Sequence, residues 1–338
     1  MIDRISRPRR AAVASVAAAI ASLLAAGALA PGAAVAQDAW PTRPIRLVVG
    51  FAPGGPTDVI ARVMAKDMTA TLGQSVVVEN KPGANSMIGT SEVARAAPDG
   101  YTLLVTTLAH NINTIIVPER AKYDPFKDFT PISLLATVPM VAVTGFDAPY
   151  KSLADVAEAA RKSPGVINYG SAGNGGSAHL AAAYLATLTK TQMTHVPFNG
   201  NAPALAEVMA GRVNFMFYPM IGVPDLVAQK RLRALAITTS QRHPDFPDVP
   251  TTEQAGFPGF DEYSPGIGLV GPAGMPRAAV EKVHAAVRQS LATPATQDQM
   301  RRLGGVGSGI GPAEFEQWLR ADYQRWERVI KAANIKVE

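Results

Sequence analysis

The sequence predicts an α/β protein of two domains, each a mainly parallel sheet flanked by helices, and three observations carry that reading. Short β-branched runs alternate with helically spaced apolar residues along most of the chain. Two Gly-rich loops, more than a hundred positions apart, each follow a strand and precede a helix. A chain of 338 residues is long enough for two hydrophobic cores.

The N-terminus stands apart from this pattern. Arg4, Arg7, Arg9 and Arg10 precede an uncharged, alanine-rich run from Ala11 to Ala30, the grammar of a signal peptide. Ala34-Val35-Ala36 supplies the small residues needed before a cleavage site, so residues 1–36 are expected to be removed after Ala36 and the mature protein to reach the periplasm. A membrane anchor is the alternative reading of the same run. Removing residues 1–36 takes away four arginines and Asp3, which lowers the formal net charge from +5 to +2. No Lys/Arg block with interleaved aromatics remains, which argues against a nucleic-acid partner. The chain has no cysteine, excluding disulfides, thiol nucleophiles and thiolate metal sites.

After Trp40 the first strand reads Ile45 to Val49. The loop Ala52-Pro53-Gly54-Gly55-Pro56 follows, then a helix from Thr57 to Leu72 with Val59, Ile60, Val63, Met64, Met68 and Leu72 at helical spacing. Thr57 or Asp58 is the expected N-cap and Gly73 the stop. A strand at Ser75 to Glu79, a loop from Asn80 to Ala84, a helix near Met87 to Ala97, the turn Pro98-Asp99-Gly100 and a strand from Tyr101 to Thr106 continue the alternation. Strands near Ile132 to Ala136 and Met140 to Thr144 flank a domain change at Thr137 to Pro139.

A second series opens with a helix capped by Ser152 and a strand at Val166 to Tyr169. Helices follow at Ser177 to Leu188, Ala202 to Ala210 and Gly222 to Gln229, with strands at Met193 to Val196, Asn214 to Phe217 and Ala234 to Thr238. The segment Pro244 to Phe260 is too dense in proline for a long regular element and leads into a strand at Gly266 to Gly271, a return to the first domain. Helices at Arg277 to Leu291 and Pro312 to Ala332 close the chain. The expected domains are therefore 37–138 with 262–338, and 139–261.

The loop from Pro53 to Asp58 turns backbone N–H groups toward one point before a helix N-terminus, where an anion fits; taken alone it is equally a plain turn. Gly170-Ser171-Ala172-Gly173-Asn174-Gly175-Gly176-Ser177 repeats the device in the second half. Gly173-x-Gly175-x-x-Ala178 also fits a dinucleotide fingerprint, but no acidic residue stands near Pro197 to hold a ribose. Ser171 invites comparison with a hydrolase nucleophile, with His179 or His195 as base, yet Tyr169 breaks the G-x-S-x-G pattern. No histidine has metal-ligand spacing, so neither metal nor cofactor is expected. His110 follows a strand end where parallel sheets present ligands. Tyr218 ends another strand and faces either the cleft or the core.

These segments together resemble the substrate-binding components of tripartite tricarboxylate transporters, the Bordetella uptake gene (Bug) family. The carrying runs are WPTRPIRLVVGFAPGGPTD, VVVENKPGA, APDGYTLLV, YDPFKDFTPISLLA, NYGSAGNGGSAHLAA, GRVNFMF, LRALAITT, DVPTTEQAGFPGF and GLVGPAGMP. The resemblance implies a periplasmic binding protein (Venus-flytrap) fold, a carboxylate held between the domains, a membrane permease as partner, a monomer, and no reaction. By residue matching it carries ligand contact onto Gly54, Gly55, Thr57 and Asp58, and onto Ser171, Gly173, Asn174 and Ser177; Ala52, Thr107, Ala109, His110, Asn199 and Tyr218 complete the expected ligand-binding set. Departures from the family pattern at Ala109, Asn199 and Tyr218 remove a hydroxyl, a cation and an acid from the far end of the cleft, which favours an aromatic or otherwise apolar monocarboxylate. A ligand-presenting sensor partner and a serine hydrolase using Ser171 are the rival functions.

Overall fold

The β-branched runs pair into separate sheets, joined where the chain crosses from one to the other. The structure is a computed structural model that describes residues 40–260, 265–302 and 304–332. The expected signal peptide, its cleavage site and the domain limit at 261/262 lie outside these residues.

The first sheet is built from β1 (Ile45–Val49), β2 (Val76–Asn80), β3 (Thr102–Thr106), β4 (Phe129–Thr137), β10 (Gly266–Pro272) and β11 (Val306–Gly307), in the order β11-β4-β10-β3-β1-β2. β5 (Met140–Gly145), β8 (Met216–Pro219) and β9 (Leu232–Ile237) form a second sheet, with β5 central. β6 (Asn168–Ser171) and β7 (Thr194–Pro197) pair beside it, and the bridge from Tyr169 to Phe215 ties them to the lead-in of β8.

The strand directions correct the expectation of mainly parallel sheets. β1 runs parallel to β2 and β3, and β6 to β7. By contrast β10 is antiparallel to both β3 and β4, β11 is antiparallel to β4, and β5 is antiparallel to β8 and β9. Parallel pairing is enforced where a helix crossover joins neighbouring strands. β5 and β10 instead enter their sheets directly from the crossings between lobes. Hydrophobic periodicity does not encode strand direction, so the α/β class is legible in the sequence while the directions are not.

Helices cover the sheets: α1 (Pro56–Leu72), α2 (Met87–Ala94), α3 (Ala109–Ile116), α4 (Leu153–Lys162), α5 (Ser177–Thr189), α6 (Asn201–Met209), α7 (Val223–Ala228), α8 (Arg277–Ala292), α9 (Pro294–Arg302) and α10 (Pro312–Ala332). α1 buries Ile60, Val63, Met64 and Met68 as its spacing predicts, each fully buried side chain contributing about 1.5–3 kcal/mol. Gly73 at φ 67° ends it, its N–H on Thr69 O at 3.1 Å. The sequence pattern assigns no element to α3. It forms because Asn111 donates to Leu319 O at 2.9 Å and to Asp322 at 3.1 Å on α10, tertiary bonds that override weak local propensity. Trp326 of α10 joins the core of the second lobe.

Candidate functional site

Gly50 ends β1, and the chain then turns through Gly54, at φ 80°, into α1. Asp58 does not cap that helix; Gly55 does, with no side-chain bond. The Asp58 carboxylate instead accepts the Gly54 N–H at 2.9 Å, Arg62 through two nitrogens at 2.9 Å each, and Asn80 Nδ2 at 2.9 Å. Burial alone would raise its pKa, but these donors hold it below the ordinary carboxylate range. Asp58 thus fixes the loop from behind, with its oxygens engaged inside the first lobe. The N–H groups of Thr57 and Asp58 precede the first intrahelical bond, Val59 N–H to Gly55 O at 3.0 Å, and are left for another acceptor.

The second loop, between β6 and α5, is braced in a similar way. Ser171 is fully buried; its Oγ accepts the Gly173 N–H at 3.1 Å and lies 2.9 Å from Gly173 O and 2.6 Å from His195 Nε2. His179 Nδ1 accepts the Gly175 N–H at 2.9 Å and its ring stacks on His195 at 4.0 Å. Burial lowers both histidines, His179 to about 4 and His195 to about 3, the latter helped by His179, so both are neutral at pH 7. The sequence paired Ser171 with these histidines, and the structure brings Ser171 and His195 together. Their contact shapes the loop from beneath, and among the described residues no carboxylate bonds His195. Gly176 caps α5, again with no side-chain bond.

A third N-terminus joins these two. Gly200, at φ 144°, caps α6 without a side-chain bond and packs so close that an added Cβ would lie 3.1 Å from Ala52 N. Ala52 N donates to Asn199 O at 3.1 Å, so the loops of the two lobes touch. By contrast α4, away from the cleft, carries a complete capping box from Ser152 and Asp155.

The three glycine-capped N-termini surround one inner cavity of about 40 Å³, which Pro56, Thr57, Gly176, Ser177 and Asn201 line. Thr107 and Ala109 line it from the first lobe, and Phe51, Leu108, Val138, Ala172, Pro219 and Ile267 make most of its wall apolar. Among the described residues no charged side chain lines it. An outer cavity of about 300 Å³ lies at the mouth, lined by Gly173, Asn174, Asn199, Phe198 and Arg120. Asn85 lines both.

His110 and Tyr218, expected at the ligand, fall in the lobe cores. His110 is buried in the first lobe, its Nε2 2.9 Å from Pro125 O and its ring against Tyr123 and Phe129; burial lowers its pKa to about 4. It turns inward because α3 begins at Ala109. Tyr218 lies in the second-lobe core, opposite Val141 on β5, and burial pushes its hydroxyl pKa up. Sequence reasoning missed Asn85 and Asn201. Asn85 sits in Pro82-Gly83-Ala84-Asn85-Ser86, where an asparagine just before a helix is the available signal for a left-handed residue.

Residues 60–335 match the family described as tripartite tricarboxylate transporter family receptor. The periplasmic binding protein BugD is 32% identical, with a TM-score of 0.85 over 88% of this chain and 100% of its own. MatC from Rhodopseudomonas palustris, solved with bound malate, is 34% identical, with a TM-score of 0.82 over 86% of this chain and 100% of its own. Rpa4515 from R. palustris, solved with adipate, is 33% identical, with a TM-score of 0.84 over 88% of this chain and 99% of its own.

Proposed function

The chain belongs to the tripartite tricarboxylate transporter receptor family, and from that premise we propose that it is a periplasmic protein that closes two lobes over one small carboxylate and presents it to a membrane permease. The observation that carries the reading is the convergence of three glycine-capped helix N-termini, at Pro56, Ser177 and Asn201, on one cavity that, among the described residues, no charged side chain lines. Each offers N–H donors that its helix does not use, and the positive end of a dipole. That end favours an anion by about 0.3–1 kcal/mol when exposed and by up to about 2 kcal/mol when partly buried. A carboxylate is stabilised there without a cationic side chain.

Malate in MatC and adipate in Rpa4515 support a carboxylate as ligand class. The apolar wall from Phe51, Leu108, Val138 and Ile267 supports a guest whose carbon body is aromatic or otherwise apolar. A cavity of about 40 Å³ holds only about three waters, so the ligand enters when the lobes part. The hinge is assigned to the two crossings, where Val138 N donates to Pro265 O at 3.0 Å. That assignment supports a domain limit at 138/139. Export through the N-terminal signal peptide supplies the location. Ser171, buried beneath its loop, supports binding without turnover.

A thermal-shift comparison tests the reading. Carboxylates at about 100 times Kd should stabilise the protein by about 2.7 kcal/mol, several degrees for a chain of this size, and the matching amides should do nothing. Stabilisation by neutral sugars instead, or hydrolysis of esters lost in Ser171→Ala, would overturn it.

A further inference from the structure

Asn85 is held in an unusual position. Ala84, Asn85 and Ser86 have φ of 48°, 49° and 73°, three successive non-glycine residues in the left-handed region, a conformation that survives only where its surroundings enforce it. The enforcement is visible. Ser86 fits because Gly50 has no side chain: a Cβ there would stand 1.8 Å from Ser86 Oγ. Asn113 Nδ2 donates to Asn85 O at 2.8 Å.

That last bond fixes which way the Asn85 amide faces. With Nδ2 of Asn113 on a carbonyl, Oδ1 of Asn113 is the acceptor, and Asn85 Nδ2 donates to it at 3.0 Å. Turning either amide over would set oxygen against oxygen. Asn113 Nδ2 also lies 3.5 Å from the Tyr123 hydroxyl, which donates to His110 O at 3.0 Å. Asn85 Oδ1 must therefore point the other way, toward the second lobe, 3.3 Å from where a Cβ on Gly176 would stand. There it is buried with no hydrogen-bond partner, although Asn85 is only 7% exposed and lines the inner cavity.

A buried acceptor without a donor is costly, and its oxygen repels a carboxylate rather than binding one. Resting on the carboxylate reading above, we propose that Asn85 reads a hydrogen-bond donor on the ligand, so that this protein selects carboxylates bearing a hydroxyl or a neutral N–H over analogues without one. Among the described residues no acidic side chain lines the cavity to balance an ammonium, which favours a neutral donor. The strained turn serves to place one acceptor oxygen against the α5 N-terminus, beside the donors that take the carboxylate.

Calorimetric titration with matched acids tests this: lactate and propionate, malate and succinate, mandelate and phenylacetate, 3-hydroxybenzoate and benzoate, anthranilate and benzoate. Wild type should bind the donor-bearing acid of at least one pair roughly 10- to 100-fold more tightly than its partner. Asn85→Gly, which suits the left-handed backbone, should lose the preference between the two acids of that pair. Binding of acids with no preference in wild type, or a preference that persists in Asn85→Gly, overturns this inference alone. Binding of no acid in either protein overturns the carboxylate reading and this inference with it.

Discussion

Replacing Gly50 by alanine tests how the first lobe holds its side of the cleft. The new Cβ would lie 1.8 Å from Ser86 Oγ, 2.5 Å from its Cβ and 2.8 Å from its Cα. Side-chain rotation relieves the first contact only. To restore ordinary carbon contacts of about 3.6 Å, Ser86 Cβ must retreat by roughly 1.1 Å and its Cα by roughly 0.8 Å. It is not free to do so, because Thr90 N–H bonds Ser86 O at 2.9 Å and Met87 N–H bonds Ala84 O at 3.1 Å. Overpacking of this kind costs about 1–3 kcal/mol, and the displacement passes directly to Asn85. Urea unfolding should show that loss, and calorimetry should show weaker ligand binding in the same variant. Adding Ser86→Gly removes two of the three clashes and should recover part of both losses, a coupling read from the double-mutant cycle. Wild-type stability and affinity in Gly50→Ala would refute the packing argument.

Other outcomes follow from the groups behind the two loops. Asp58→Ala removes the acceptor for Gly54, Arg62 and Asn80; it should destabilise by about 2 kcal/mol and weaken ligand binding, read by unfolding and titration. Because the folded Asp58 pKa lies below its ordinary value, its contribution is complete above about pH 4 and is lost as pH falls through the folded value; Asp58→Asn should flatten the acid limb of the stability profile. For His179 and His195, lowered to about 4 and about 3, the unfolded chain takes up protons first as pH falls below about 6.5. Stability should therefore decline between pH 7 and pH 5, by up to about 2 kcal/mol per histidine. Because buried His110 contributes to the same decline, His195→Gln should remove roughly a third of it, and an unchanged urea midpoint across this range in wild type would contradict the buried, neutral histidines.

Much of this architecture is written in local pattern. Strand, Gly-rich loop and helix recur at Ile45–Leu72 and at Asn168–Thr189, and both turns combine β-branched or aromatic runs, paired glycines and helical apolar spacing in plain order. What stayed hidden depends on distant partners. α3 carries Asn, Thr and Ile at positions that favour no helix, and forms because Asn111 meets α10 and Asn113 meets Asn85. His110 looked like a ligand group because the residues after β3 read as an open loop; once they coil into α3, its ring enters the core. Asn85 is the sharpest case. Asn85 tolerates the left-handed region, but Ala84 and Ser86 beside it do not favour it, so the packing of Gly50 and Asn113 is needed to explain three in succession. Asp58 was identified as part of the first loop, but its carboxylate supports that loop rather than facing the cavity, a distinction set by the reach of Arg62 and Asn80.

The claim at the centre of the account is that backbone N–H groups at facing helix N-termini seat a carboxylate between the lobes. A crystal structure of the protein with a carboxylate identified by titration tests it most directly. The account predicts carboxylate oxygens about 2.7–3.2 Å from N–H groups at Thr57 or Asp58 in the first lobe and at Ser177 or Asn201 in the second. A ligand that places a neutral group at those amides, or that binds outside the cleft, would contradict it.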